Sequence, residues 1–374
     1  MAGIYLHIPF CQKACIYCDF HFSTLLKKKE AITEAIVKEL KLRRAYLENK
    51  PVETIYFGGG TPTLLKHSQF ERIFDEIFKE FKVVEFPEIT VEANPDDITA
   101  DKLNSLKSFG VNRLSIGVQS FFDEHLKFFN RSHNSNQAFN AVKTAQNLGI
   151  DNITLDLIYG FPQLTENQLE ENLNKIDSLQ VPHVSTYSLT VEPKTALHHL
   201  ISKGKAPNLD DEVAAKHFEL VRNFLKTKGF HHYEISNFGK PQFYSNHNSN
   251  YWLGKPYLGV GPSAHSYNLN TRSWNVANNS SYLKQLAANK LPHQEETLST
   301  KDKFNEFILT GLRTKWGITF EGLQKFPQQM AEAFQRELNP LLSKSVLLKK
   351  EKGYVLNDEY WFKADGIAAE LFQV

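Results

Sequence analysis

Residues 52–63, "VETIYFGGGTPT", pass from a β-branched and aromatic run straight into three consecutive glycines. The run has the character of a buried strand, and the glycines mark a turn at its C-terminal end. Working outward, the same kind of run recurs at "GIYLHI" (3–8), "EITVEA" (88–93), "RLSIGV" (113–118), "NITLDLIYG" (152–160) and "HVSTYSLT" (183–190). Between them lie stretches with apolar residues at helical spacing, among them "EAITEAIVKELKLRRAYL", "FERIFDEIFKEF", "ADKLNSLKSFG", "AFNAVKTAQNLG" and "QLEENLNKIDSL". Six strands alternating with helices predict an α/β protein built as a partial (β/α)6 TIM-like barrel. An open doubly wound sheet is the alternative that periodicity alone leaves standing. Either arrangement gathers chemistry at the C-terminal ends of the strands.

The polar residues obey that expectation. At or just after the ends of successive runs come a cysteine loop, the turn Gly58-Gly59-Gly60-Thr61, then Glu92 and Asn94, Gln119 and Ser120, and Asp156. The cysteine loop holds Cys11, Cys15 and Cys18, which are all the cysteines in 374 residues. Three clustered thiols cannot form a disulfide framework, so the reading is a reduced compartment and a metal site. The spacing C-x3-C-x2-C leaves such a site one protein ligand short of four. Structural zinc completed by His7 or His21 is one reading. A cubane iron–sulfur cluster with one iron open to a non-protein ligand is the other.

After residue 190 the pattern changes. Residues 236–290 are rich in Gly, Pro, Asn, Ser and aromatic residues, which predicts a loop-rich connecting segment without long regular elements. It separates a core at 1–235 from a third region at 291–374. There, "KDKFNEFILTGLRTKWGITFEGL" and "QMAEAFQRELNPLLSKS" read as helices, "VLLKKEKGYVLND" as a hairpin turning near Lys352-Gly353, and "ADGIAAELF" as a short helix. Helices followed by a hairpin predict a small α+β winged-helix-like domain. With 43 Lys plus Arg against 42 Asp plus Glu, nothing points to nucleic acid as a partner. No secretory leader pattern and no run of ~18 apolar residues stands out. The expectation is a cytoplasmic protein without a membrane span.

C-x3-C-x2-C after a first strand, followed by "GGGTPT" after the second, resembles the radical S-adenosylmethionine (SAM) superfamily. The resemblance implies a 4Fe-4S cluster on Cys11, Cys15 and Cys18, with SAM chelating the open iron and yielding a 5'-deoxyadenosyl radical on reduction. It extends through "YLHIPFC", "VEANPDD", "NRLSIGVQSF", "NRSH", "LDLIYGFP" and "YEISNF" to the branch that holds oxygen-independent coproporphyrinogen III oxidase and the HemW heme chaperones. By that resemblance Tyr5 lies beside the cofactor, and Tyr17 offers backbone polar groups to its adenine. Gly58, Gly59, Gly60 and Thr61 let backbone approach it. Glu92, Gln119 and Arg131 surround its amino acid and ribose, and Asp156 accepts from the ribose hydroxyls.

Two features separate the members of that branch. The oxidases resemble C-x3-C-x2-C-x-C and carry an extension before the first strand, whereas this chain has Phe20 at the fourth cysteine's place and starts four residues before Tyr5. Both argue against coproporphyrinogen decarboxylation. "HNSNYW" (247–252) matches the H-N-x-x-Y-W pattern of the HemW group, so His247 is the first candidate for a heme ligand, with His265, His231 and His232 behind it. The resemblance therefore implies a heme chaperone that binds heme or a porphyrin and serves client hemoproteins, with a homodimer as its assembly. The alternatives are a radical oxidase of a porphyrin precursor and, less well supported by the charge balance, a radical SAM modifier of RNA.

Overall fold

The structure is a computed structural model that describes residues 1–373. Its six N-terminal strands are β1 (Ala2–Ile8), β2 (Val52–Gly59), β3 (Val83–Ala93), β4 (Arg113–Gln119), β5 (Ile153–Tyr159) and β6 (His183–Ser188). They pair in parallel and lie side by side in chain order. That order decides between the two sheet types. A doubly wound sheet reverses direction at a switch point, whereas sequential right-handed crossovers put every helix on one face and curl the sheet around the other. The fold is accordingly a partial barrel.

The alternation of side chains sorts the two faces. Ile4, Leu6, Ile55, Phe57, Val91, Leu114, Ile116, Ile153, Leu155 and Val184 point toward the helices and are completely covered. The other parity, Tyr5, Tyr56, Glu92, Ser115, Asp156 and Tyr187, faces inward. An inner face so polar is poor packing material. It is built for something other than a core.

The segment 236–290, which composition marks as loop-rich, extends the sheet together with the residues flanking it. β7 (His231–Glu234) and β8 (Asn237–Gly239) add antiparallel beside β6. β9 (Tyr257–Val260) pairs in parallel with β1 on the opposite side, followed by β10 (His265–Tyr267), β11 (Thr271–Asn275) and β12 (His293–Thr297). One twelve-stranded sheet results. These strands are short, and a buried polar network fastens them. Glu39, fully covered on the helix Lys29–Leu42, accepts from the Gly261 N–H at 2.9 Å, Asn275 Nδ2 at 2.8 Å and the Tyr282 hydroxyl at 2.6 Å. Arg43 pairs with Glu39 at 3.4 Å and donates to the Gly259 carbonyl at 3.0 Å and to Ser273 Oγ at 3.2 Å. Removing one member leaves the other charge buried and uncompensated. Glu39→Ala is expected to cost about 3 to 5 kcal/mol in urea unfolding, and a loss under 1 kcal/mol would show that the network is dispensable.

The C-terminal region packs the helices Thr300–Leu312 and Gln328–Ser343 against β14 (Leu347–Lys350) and β15 (Gly353–Leu356), with β13 (Ile318–Thr319) as a third strand. The hairpin turns at Glu351-Lys352, one residue before the Lys352-Gly353 position read from the sequence. The single helix read over 301–323 stops at Leu312 instead. Gly317 has φ +69°, and a Cβ there would lie 2.1 Å from the Tyr354 carbonyl oxygen, so the chain turns into β13. Arg222 joins this region to the barrel through Asp358 at 2.7 Å, and Arg313 sits 5.0 Å above the Trp252 ring. Among the described residues no helix is long and apolar enough to cross a membrane.

Candidate functional site

At the C-terminal ends of the parallel strands lies a cavity of about 390 Å³. The loop after β1 brings Cys11, Cys15 and Cys18 to it as half-buried free thiols. Burial pushes the Cys11 thiol up to about 11 and the Cys18 thiol up to about 12, so binding as thiolates releases protons. The Thr61 hydroxyl donates to Cys11 Sγ at 3.7 Å, and Arg131 Nη1 donates to Cys15 Sγ at 3.4 Å. Asn94 ties these two donors together, giving Nδ2 to Thr61 at 3.2 Å and accepting from Arg131 Nη2 at 2.7 Å. Arg131 Nη2 also reaches the Gly117 carbonyl at 2.6 Å, while among the described residues its buried Nε has no partner.

The glycine turn is tight for a reason inside the chain. Gly59 has φ +102°, and a Cβ there would meet the His7 ring at 2.5 Å; one on Gly60 would meet the Phe10 carbonyl oxygen at 2.5 Å. The close approach is to the end of β1, where it holds the cysteine loop against β2. The Thr61 N–H donates to the Phe10 carbonyl at 2.6 Å. Gly58 leaves room for Glu92, whose Oε1 would lie 2.9 Å from an added Cβ.

Glu92 and Asp156 form the inner wall. Glu92 accepts from the Tyr56 hydroxyl at 2.8 Å and the Gly59 N–H at 3.1 Å. Asp156 accepts from Ser115 Oγ at 3.3 Å. Among the described residues neither carboxyl forms an ion pair. Burial raises Glu92 to about 7 despite its two hydrogen bonds, and burial, then the Glu92 charge, raises Asp156 to about 7. Gln119 also lines the cavity. Its φ of +66° at the end of β4 is uncommon for a residue with a side chain, and such strain gathers where a site fixes a group.

The structure thus brings together the three cysteines, Tyr17, Gly59, Gly60, Thr61, Glu92, Gln119, Arg131 and Asp156 around one cavity. Tyr5 sits below it, its hydroxyl hydrogen-bonded to His7 Nδ1 at 3.2 Å and its ring 6.0 Å from Tyr56. His247 lies apart, on the helix Asn246–Trp252 that packs on β1 and β2. Its Nδ1 is hydrogen-bonded to Thr54 Oγ1 at 2.8 Å and its ring stacks on Tyr56 at 5.0 Å. Tyr56, Ser115 and Tyr187 join the site without any sequence signal except, for the first two, their parity with Gly58 and Gly117.

Residues 5–176 match the radical SAM superfamily and residues 298–361 the HemN C-terminal domain. The chain is similar to the heme chaperone HemW of Bacillus subtilis, 36% identical over 96% of this chain and 94% of that protein. The chain belongs to the HemW family. HemW of Escherichia coli is 36% identical over 70% of this chain and 69% of its own, and a cattle protein named radical S-adenosyl methionine domain-containing protein 1, mitochondrial, is 30% identical over 94% and 83%. The fold matches the solved coproporphyrinogen III oxidase HemN of E. coli with a TM-score of 0.86 at 23% identity, covering all of this chain and 90% of that one.

The radical SAM domain of the HemW family implies a 4Fe-4S cluster and SAM, and the residues fit both. Three thiols edge a cavity that is also lined by the Arg131 guanidinium and by the carboxyls of Glu92 and Asp156, groups matched to an amino acid and a ribose. A Cys3His zinc site is not assembled. His7 Nε2 is hydrogen-bonded to the His21 carbonyl at 2.8 Å, and His21 Nε2 to Asn279 Oδ1 at 2.8 Å. Among the described residues no three His, Cys, Asp or Glu side chains converge on a single ion.

Proposed function

We propose that this chain is a heme chaperone, binding heme and passing it to client hemoproteins. The observation that carries the reading is the end-to-end similarity to proteins named for that role, 36% over 96% of the chain for the B. subtilis relative. In this reading Cys11, Cys15 and Cys18 hold the cluster, Arg131 and Glu92 receive the carboxylate and amine of SAM, and Asp156 receives its ribose hydroxyls. The cluster and SAM, when bound, supply reductive cleavage of a sulfonium.

The chain's own residues do the positioning. Asn94 keeps the Arg131 guanidinium turned toward the cysteine loop, and Tyr56 with the Gly59 N–H fixes Glu92. An arriving ammonium group pairs with Glu92 and so favours its charged form. Phe20, exposed on the rim, stands where the oxidase pattern has a thiol.

His247 is the proposed iron ligand. Burial, followed by the charge of Arg113, holds its imidazole down at about 3, so the ring is neutral, as a ligand nitrogen must be. Its Nδ1 engages Thr54, and among the described residues Nε2 makes no hydrogen bond. For heme to reach it, the helix Asn246–Trp252 must loosen from β2, carrying with it the exposed Tyr251. His232 is locked between Phe238 and Trp361, each at 4.1 Å, and His265 stacks at 6.3 Å on Trp274. Heme titration followed by visible spectra tests this: His247→Ala is expected to lower affinity at least ~10-fold, the loss of about 1.4 kcal/mol or more. Unchanged spectra in His247→Ala with their loss in His265→Ala would move the ligand to the β10 edge.

A further inference from the structure

We propose that Arg113 receives a carboxylate of the bound heme inside the barrel, pairing with a propionate while His247 holds the iron. This deepens the heme reading above and rests on it. Arg113 begins β4 with the same parity as Ser115, so its side chain points inward, and it is only 1% exposed. A guanidinium taken out of water is costly unless a carboxylate pairs with it. Among the described residues Arg113 forms no ion pair. Its Nη2 donates to the Thr154 hydroxyl, and its buried Nε has no partner among those residues.

The inward-facing carboxyls are engaged elsewhere. Glu92 accepts from Tyr56 and the Gly59 N–H, and Glu234 from Asn237 Nδ2. Asp156 feels the Arg113 charge, yet it accepts from Ser115 Oγ at 3.3 Å and forms no ion pair. Glu88 accepts from the Asn246 and His247 N–H groups at 2.9 Å each. Opposite Arg113 in the β3–β4 register, the buried Thr90 hydroxyl also lacks a partner among the described residues. Two open donors side by side fit the two oxygens of one carboxylate.

The same layer leads to the proposed iron ligand. Tyr56, on which His247 stacks at 5.0 Å, pairs with Thr90 across β2 and β3, and Thr90 pairs with Arg113 across β3 and β4. Tyr56 and Arg113 are thus two strand spacings apart, on the order of 10 Å, which suits an iron at one point and a carboxylate at the edge of the same macrocycle. From Arg113 a row of hydrogen bonds runs through Thr154 to His183 at 3.0 Å, to the Tyr233 hydroxyl at 2.8 Å and to the Ser245 N–H at 3.2 Å. Ser245 caps the helix Asn246–Trp252. The element that must loosen to free His247 is therefore tied to the Arg113 layer.

The test titrates the full chain with ferric heme and with its dimethyl ester, which keeps the iron and the ring and lacks the charges. The wild type is expected to bind heme on the order of tenfold more tightly than the ester, a comparison that needs no variant to fold. Arg113→Gln should bind the two ligands alike, and Arg113→Lys should regain part of the preference. His247→Ala should weaken both ligands together and keep the preference. Equal wild-type affinity for heme and ester, or an Arg113→Gln protein that loses both affinities equally and keeps their ratio, would overturn the proposal and leave the chaperone reading in place. Failure of the wild type to bind either ligand would overturn the chaperone reading itself, and the proposal with it.

Discussion

Cys15→Ser is expected to abolish cluster assembly while leaving the fold in place. After anaerobic reconstitution its iron and sulfide should fall to background and its visible absorption should vanish. The reason is numerical as well as chemical: these are the only three cysteines, so no spare thiol can take over. The fold should tolerate the change because the side chain is half-buried and its contact is a long hydrogen bond from Arg131. Thermal unfolding of the variant without cluster should therefore stay within about 1 kcal/mol of the wild type without cluster. Zinc recovered in the wild type, persisting in Cys15→Ser, would refute the cluster assignment.

Glu92→Gln should move two quantities in opposite directions. Affinity for SAM should drop on the order of 100-fold, about 3 kcal/mol, because a buried charge-assisted contact to the cofactor's amine is lost. The unliganded protein should become more stable at pH 8. The sign follows from the raised carboxyl: its contribution is fully present below the ordinary carboxylate range and is lost as pH rises through about 7, where the folded state must carry a buried charge. Glutamine never ionises, so the variant should exceed the wild type by about 2 kcal/mol above pH 7, with the advantage vanishing toward pH 5. Isothermal titration and thermal melts across that range read both. A stability gain at every pH, or an unchanged SAM affinity, would contradict this view of Glu92. Such a trade is the ordinary cost of a site prepared for a ligand.

What the sequence makes legible follows where the physics is local. β1 to β6 are readable because each buries one complete face, so the apolar parity of Ile4-Leu6 or Leu114-Ile116 survives in a single sequence. β9 to β12 are not, since three to five residues carry too little periodicity and their stability comes from pairing with β1 and from Glu39, more than 200 residues away in the chain. The break after Leu312 is a tertiary effect of Gly317 packing on β15.

The cofactor shelf is legible for a different reason. Cysteines and lone acids at strand ends have no packing purpose there. Tyr56 and Ser115 escape notice because a tyrosine or serine within a strand is ordinary until the strand order shows which face it meets. His247 illustrates the converse. Its motif is conspicuous, yet only the structure places its ring against Thr54 and Tyr56 beneath the cavity.

The central claim is tested most directly by heme transfer. The reconstituted chain would be loaded with heme, freed of excess, and mixed anaerobically with apomyoglobin while visible spectra report where the heme resides. The expected result is a bound-heme spectrum that decays as holomyoglobin appears, with coproporphyrinogen left unconsumed in a parallel assay. A chain that retains no heme, yet decarboxylates coproporphyrinogen with SAM and a reductant, would contradict the chaperone reading.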